Sequence, residues 1–79
     1  MQFRNEELKT TITVEDAPGD PAASLITVGV DGLGGKIHEA VVVAPSRSDA
    51  DMEAAMMAGF EIASAKAAMA QEAATPSRH

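Results

Sequence analysis

Three segments of the chain alternate apolar and polar residues with the period of two that is typical of half-buried β-strands. The first covers residues 8–15, in which positions 8, 10, 12 and 14 share one face. The second covers residues 24–31. The third covers residues 36–44, where Glu39 falls among otherwise apolar positions. A β-bulge or a place at the sheet edge would accommodate Glu39, and the three segments together predict an antiparallel sheet.

Turn-forming residues separate these strands. Residues 15–21 contain two prolines, a glycine and three acids, so we expect an exposed acidic loop there that no regular element crosses. Residues 31–35 read Asp-Gly-Leu-Gly-Gly, which suits a tight reversal and predicts a β-hairpin. A phosphate-binding loop is the alternative, but such a loop leads into a helix, whereas Lys36 and Ile37 begin a strand.

A long helix is predicted from about Ser48 to residue 74, because Ser48 is a suitable N-cap and Thr75-Pro76 provides a stop. At 100° per residue, the apolar and small residues fall on one side, which we expect to pack on the sheet with Phe60 as its buried anchor. The members of this side are Met52, Ala55, Met56, Gly59, Phe60, Ile62, Ala63, Ala67, Met69, Ala70 and Ala73. Its small residues permit close approach either to the sheet or to a second copy of the helix.

The predicted fold class is therefore α+β, a three-stranded antiparallel sheet (β-β-β-α) with one long C-terminal helix packed on a face. We expect a single domain over residues 1–79, with flexible ends at 1–7 and 75–79. The larger apolar side chains are few, since 16 of the 79 residues are alanine. Because three short strands cannot easily cover the apolar side of the helix, we expect a homodimer with Met57 or a strand edge near its contact.

Composition excludes several functional classes. The absence of cysteine rules out a disulfide framework and a cysteine-based zinc site. No apolar run is long enough for a membrane span. The formal net charge of −6 disfavours direct nucleic-acid binding, which depends on Lys and Arg.

Candidate chemical motifs are sparse. Asp49, Asp51 and Glu53 have the spacing of the first ligands of a calcium loop, but Ala54 and Phe60 stand where that loop needs Gly and Glu. These carboxylates suit the N-terminus of a helix instead. His38 and Glu39 should point to opposite faces of a strand, so we predict no acid–base pair. Because the chain has no cysteine, no second histidine outside its tail and no serine in a nucleophile elbow, we also predict no enzyme activity and no metal or other cofactor.

The acidic residues form two groups and give the clearest functional signal. One group lies in the loop and the other on the helix, whose polar side also carries the apolar Met57. An acidic face is ordinarily solvated, but it can also engage a basic groove on another protein. The predicted partner-binding residues are Glu15, Asp16, Asp20, Asp49, Asp51, Glu53, Met57 and Glu61.

The chain runs from the strand Thr10-Thr11-Ile12-Thr13-Val14-Glu15 through the Pro-Gly-Asp-Pro loop to the helix segment Ala54-Ala55-Met56-Met57-Ala58. This whole plan resembles the small acidic phage-encoded anti-CRISPR proteins. The resemblance implies a non-enzymatic inhibitor in the cytoplasm of a bacterial host. Its partner would be a basic protein surface on a type I CRISPR surveillance complex of the Cascade kind. The carboxylates of this chain would mimic DNA phosphates there and block the binding of target DNA. The alternative is a phage or bacterial assembly protein that self-associates through its Met- and Ala-rich helix.

Overall fold

The structure is a computed structural model that describes residues 1–74. Its elements are β1 (Gln2–Asn5), β2 (Thr10–Ala17), β3 (Asp20–Asp31), β4 (Ile37–Ala44) and α1 (Asp49–Ala74), with a short 3-10 turn at Leu33–Gly35 before β4. The strands form one antiparallel sheet in the order β1-β2-β3-β4, and α1 lies on one face of it. The α+β class and the long C-terminal helix are confirmed, but the sheet has four strands and not three.

The additional strand, β1, lies in a segment that we expected to be flexible. Gln2–Asn5 pairs antiparallel with β2 in a register that places Phe3 opposite Ile12. Its sequence has one large apolar residue, so alternation gives little signal there. Side-chain contacts across the sheet help to hold it, because Arg4 Nη1 donates to Thr11 Oγ1 at 2.9 Å and Arg4 Nη2 to Asp31 Oδ2 at 2.8 Å. The other predicted flexible end, residues 75–79, lies outside the described residues.

The acidic segment 15–21 is also more regular than predicted. We expected a loop that no element crosses, but β2 continues to Ala17 and β3 begins at Asp20, so the connection is a tight turn through Pro18 and Gly19. Gly19 has a φ of 79°, a left-handed conformation that glycine adopts readily. The sheet accommodates Pro21 because the register shifts there: Asp16 pairs with Ser24 and Ala17 with Asp20. Proline is tolerated at such irregularities, where no ladder hydrogen bond is required of it.

The predicted hairpin before β4 is confirmed, since a short turn connects two paired strands. Strand β4 lies at the edge of the sheet and pairs with β3 without a register shift, so the edge position, and not a bulge, accommodates Glu39. The inner face of β4 carries buried Ala40 and Ala44. The outer face exposes Ile37, Val41 and Val43.

The core lies between α1 and the inner faces of β3 and β4. Ile26 and Val28 are fully buried on β3, and Ala55 and Ala63 are buried on the helix. Gly59 brings the helix closest, since a Cβ atom there would lie 2.8 Å from Val28 Cγ2 and 3.5 Å from Val42 Cγ2. The small-residue side of the helix therefore packs on the chain's own sheet, at a point between β3 and β4.

Two predictions about the helix need correction. Ile62 and Met69 were placed on the side that packs on the sheet, but they are 47% and 68% exposed. Phe60 packs against the core, as expected of the anchor of this contact, but it is only partly buried. The physical reason is that small residues occupy the centre of the contact, so the larger side chains lie beside the line of closest approach.

Candidate functional site

The helix covers only the β3–β4 half of the four-stranded sheet. On the other half, Phe3 of β1 is 50% exposed, and Ile12 and Val14 of β2 are partly buried. A groove therefore runs between one side of α1 and the inner face of β1 and β2. We call this side of the helix, which carries Met56, Met57 and Phe60, the groove flank.

Two adjoining hollows make up the groove, and they share Glu53 and Met56 in their linings. The larger hollow, of about 640 Å³, lies between β1–β2 and the first turns of α1. The smaller, of about 390 Å³, lies farther along the helix between Ile12 and Phe60. Methionine and aromatic side chains dominate the surface, and such flexible, polarisable groups adapt to different partners. The groove thus offers a mainly apolar surface with carboxylates at its border.

Carboxylates border this apolar surface on both sides. Glu15 and Asp16 of β2 line one end, together with Asp49 at the start of the helix. Glu53 and Glu61 follow the groove flank, two helical turns apart. All five side chains are exposed. The fold thus brings members of the loop group and of the helix group, which the sequence presented as competing patches, to the border of one groove.

Two predicted partner-binding residues lie elsewhere. Asp51 lies in the first turn of α1, where its carboxylate accepts a hydrogen bond from Ser46 Oγ at 2.5 Å and its backbone N–H donates to Ser48 Oγ, the N-cap, at 3.3 Å. Asp20 lies at the β2–β3 turn, where its carboxylate accepts from the N–H of Ala22 at 3.0 Å. Both carboxylates therefore have local structural roles. Met57, by contrast, lies in the groove lining and is 59% exposed.

One basic side chain also lies at the groove. Arg47, in the connection between β4 and α1, lines the larger hollow and forms an ion pair with Asp16. This pair joins the start of the helix to the end of β2 across the mouth of the groove. Because both partners are largely exposed, the contact positions the two walls more than it stabilises the fold.

On the back of the sheet, an ion pair fastens the β1 wall of the groove. The hydrogen bond with Asp31 raises the pKa of Arg4 further above its ordinary value, with a smaller contribution from Glu6. The same hydrogen bond lowers the pKa of the Asp31 carboxyl. The contact spans β1 to β3 over the intervening Thr11, so it helps to keep β1, and with it Phe3, in the sheet.

Other chemistry is sparse among residues 1–74. No group of three or more His, Asp or Glu side chains there could hold a metal ion. His38 and Glu39 lie on opposite faces of β4, as predicted, and the buried Nε2 of His38 has no hydrogen-bond partner. Within the same residues, α1 lacks the length of apolar sequence that a membrane crossing requires.

Comparison with protein-family models, with curated proteins and with solved structures finds no match to this chain.

Sequence reasoning missed the apolar floor of the groove. Phe3 received no role because its strand was not predicted. Ile12 and Val14 were placed on one face of their strand, without any sign that the helix would leave them uncovered. A signal existed at β1, where Phe3 and Arg4 alternate as apolar and polar neighbours. Four residues are too few for that alternation to stand out.

Proposed function

We propose that this protein is a non-enzymatic inhibitor that binds a basic protein surface through its acid-bordered apolar groove. The observation that supports this most directly is the juxtaposition of exposed apolar groups, Phe3, Met57 and partly buried Phe60, with the flanking carboxylates. A basic amphipathic segment matches both features, because its apolar side fills the groove and its Lys and Arg side chains meet the acids.

The resemblance to small anti-CRISPR proteins suggests the partner, a type I surveillance complex of the Cascade kind. Such a complex has a basic surface for target DNA, and this chain carries a net charge of −6. Binding would place Glu53 and Glu61 where DNA presents phosphates and so prevent DNA from entering. Complementary charge would chiefly accelerate encounter, and the apolar groove would retain the bound segment.

The test compares two double charge reversals in binding to a purified type I surveillance complex across a salt series. Glu53→Lys with Glu61→Lys changes the groove flank, while Glu7→Lys with Glu72→Lys makes the same change of net charge at exposed positions away from it. We expect the groove variant to lose binding and inhibition of DNA binding, and the control to keep most of both. The affinity of the unmodified protein for the surveillance complex should fall steeply as the salt concentration rises.

Thermal melting of both variants checks the fold, which exposed charge changes should leave nearly intact. Equal losses in the two variants would indicate a general charge effect and contradict a role for the groove. No binding of the unmodified protein to any type I complex would contradict the proposed partner. Capture of a basic amphipathic peptide by the groove would then still distinguish a protein-binding site from an inert surface.

A further inference from the structure

The bare half of the sheet has the width of one helix. Because Gly59 faces both Val28 of β3 and Val42 of β4, the axis of α1 lies between these two strands. A second helix axis between β1 and β2 would lie two strand spacings away, or about 9.6 Å. Packed helices have axes about 8–10 Å apart. A second helix therefore fits over β1 and β2, in contact with both the sheet and the groove flank.

The length of the groove sets the length of such a helix. The residues of α1 that line the two hollows extend from Asp49 to Glu61. At about 1.5 Å per residue these twelve steps cover about 18 Å. On the sheet, Val14 lies at the larger hollow and Ile12 at the smaller one, so the floor follows the same direction. A helix of about 12 residues, or just over three turns, would fill the groove.

The apolar floor favours a helix over an extended segment. Phe3, Ile12 and Val14 belong to the floor, and the groove flank adds Met and Phe side chains. An extended segment laid across this surface would leave N–H and C=O groups facing apolar side chains without hydrogen-bond partners, which is costly. A helix satisfies these groups internally and presents only side chains to the floor.

Strand addition at the β1 edge is the competing mode. Val14 N–H donates to the Met1 carbonyl at 2.7 Å, and the Met1 ammonium group donates to the Val14 carbonyl at 2.9 Å. The antiparallel pattern alternates from this pair, so the N–H groups of Gln2 and Arg4 point away from β2. Strand β1 has only four residues. A strand added beside it would lie at the edge of the sheet and leave the apolar floor uncovered.

Charge indicates the chemistry of the helix. The two hollows are lined by five carboxylates and one base, Arg47, which already pairs with Asp16. Helix α1 itself carries five acids and one lysine, so the helix of a second copy would be repelled here. Glu53 and Glu61 are eight residues apart, or about 12 Å along α1. Two Lys or Arg side chains seven or eight positions apart on a neighbouring helix match this spacing.

We propose that the groove binds a basic amphipathic α-helix of about 12 residues, which lies beside α1 so that two helices cover the four-stranded sheet. The apolar side of this helix packs on the floor, and its Lys and Arg side chains meet the carboxylates of the groove flank. This inference rests on the proposed function, in which the groove is the partner-binding surface, and it specifies the form that the bound segment takes.

Two peptide isomers of about 14 residues test the helical form. Both contain the same Leu, Ala and Arg residues and have the same charge. One arranges Leu with the helical period and sets two Arg seven residues apart. The other alternates Leu and Arg, so that its apolar side forms only in an extended strand. By fluorescence anisotropy we expect the helical isomer to bind at least about tenfold more tightly. Circular dichroism should show that it gains helix on binding.

Two methionine variants locate the bound peptide. Met57 and Met69 are 59% and 68% exposed on opposite flanks of α1, and only Met57 lines the groove. Met57→Lys should weaken binding of the helical isomer at least about tenfold, since it removes apolar contact and repels the basic peptide. Met69→Lys adds the same charge on the other flank and should leave the affinity within about threefold. Hydrogen exchange at the Gln2 and Arg4 amides should stay unchanged in the complex.

Four results would overturn the proposal. The helical isomer fails to bind at millimolar concentration, or the alternating isomer binds as tightly. Slowed exchange at Gln2 and Arg4 would assign binding to strand addition. An equal effect of Met69→Lys would place the peptide outside the groove. Sedimentation of the unmodified protein as a dimer that the helical isomer dissociates would assign the groove to a second copy.

Failure of this inference is distinguishable from failure of the proposed function. If the Glu53 and Glu61 reversals abolish binding to the surveillance complex but the helical isomer does not bind, the groove is the binding surface and the helix is wrong. If the helical isomer binds in the groove and no surveillance complex does, the helical form stands and the named partner is wrong.

Discussion

The two flanks of α1 show how one helix presents different chemistry to its two sides. The groove flank combines Met57 and partly buried Phe60 with Glu53 and Glu61, and it borders a bare half of the sheet. The opposite flank of α1 carries exposed Ile62 and Met69 and borders the open edge of β4. Between them runs a buried strip of alanine and glycine.

The difference between the flanks arises from the lateral position of the helix. A single helix is about 10 Å wide and cannot cover four strands that are each spaced about 4.8 Å apart. Here the strip around Gly59 fixes α1 over β3 and β4. The apolar side of the helix is thereby divided into one buried strip and two exposed margins.

The largest expected loss of stability distinguishes residues buried beneath the helix from residues of the groove flank. Ile26 is fully buried beneath the helix, so Ile26→Ala should lower the free energy of unfolding by about 2–5 kcal/mol. Phe60→Ala removes a larger side chain, but a partly exposed one, and should cost about 1–2 kcal/mol. Denaturant unfolding of both variants gives the comparison. An equal or larger cost for Phe60→Ala would mean that the groove flank belongs to the core.

The next effect concerns the strip that fixes the position of the helix. Gly59→Ala would place a Cβ 2.8 Å from Val28 Cγ2, and the overpacking should cost about 1–3 kcal/mol, offset by up to about 1 kcal/mol of gained helix propensity. The matched control is the same change in a Val28→Ala background, which removes the clashing methyl groups. A double-mutant cycle should show a smaller cost there. Equal costs in both backgrounds would contradict close approach at Gly59.

A smaller effect distinguishes the groove from other exposed apolar surface. Phe3 and Leu33 are 50% and 51% exposed, but only Phe3 lines the groove. Phe3→Ala should weaken binding of the groove partner about tenfold, or about 1.4 kcal/mol, and Leu33→Ala should leave it unchanged. Isothermal titration calorimetry with the surveillance complex or a basic amphipathic peptide measures both. Similar losses from the two variants would argue against a partner seated in the groove.

The smallest effect concerns the ion pair that fastens the groove's β1 wall. The pKa of Asp31 is lowered by its hydrogen bond with Arg4, so the contact stabilises the fold above pH 3.8 and its contribution is lost as the pH falls through the lowered value. NMR titration should show this low pKa, and Arg4→Gln should return it toward 3.8. An Asp31 titration that Arg4→Gln leaves unchanged would show that the contact is absent in solution.

Sequence alone determined the elements whose signal is local. Alternation identified the three longer strands, and Ser48 and the alanine-rich sequence after it located the helix. Small residues at four-residue spacing predicted close helix packing, which the contact of Gly59 with Val28 confirms. Each of these follows from residues within one or two turns of one another, where propensity and periodicity act directly.

Only the tertiary structure decided which surfaces remain uncovered. Strand β1 has too few apolar residues to be predicted and depends on pairing with β2 and on the distant Asp31. The same limit applied to Ile62, because its exposure depends on where the helix lies across the sheet and not on its own periodicity. The open β4 edge results from the strand order, whereas the groove results from the placement of the helix. That placement is set by long-range packing of side chains that are far apart in sequence, and no local pattern specifies it.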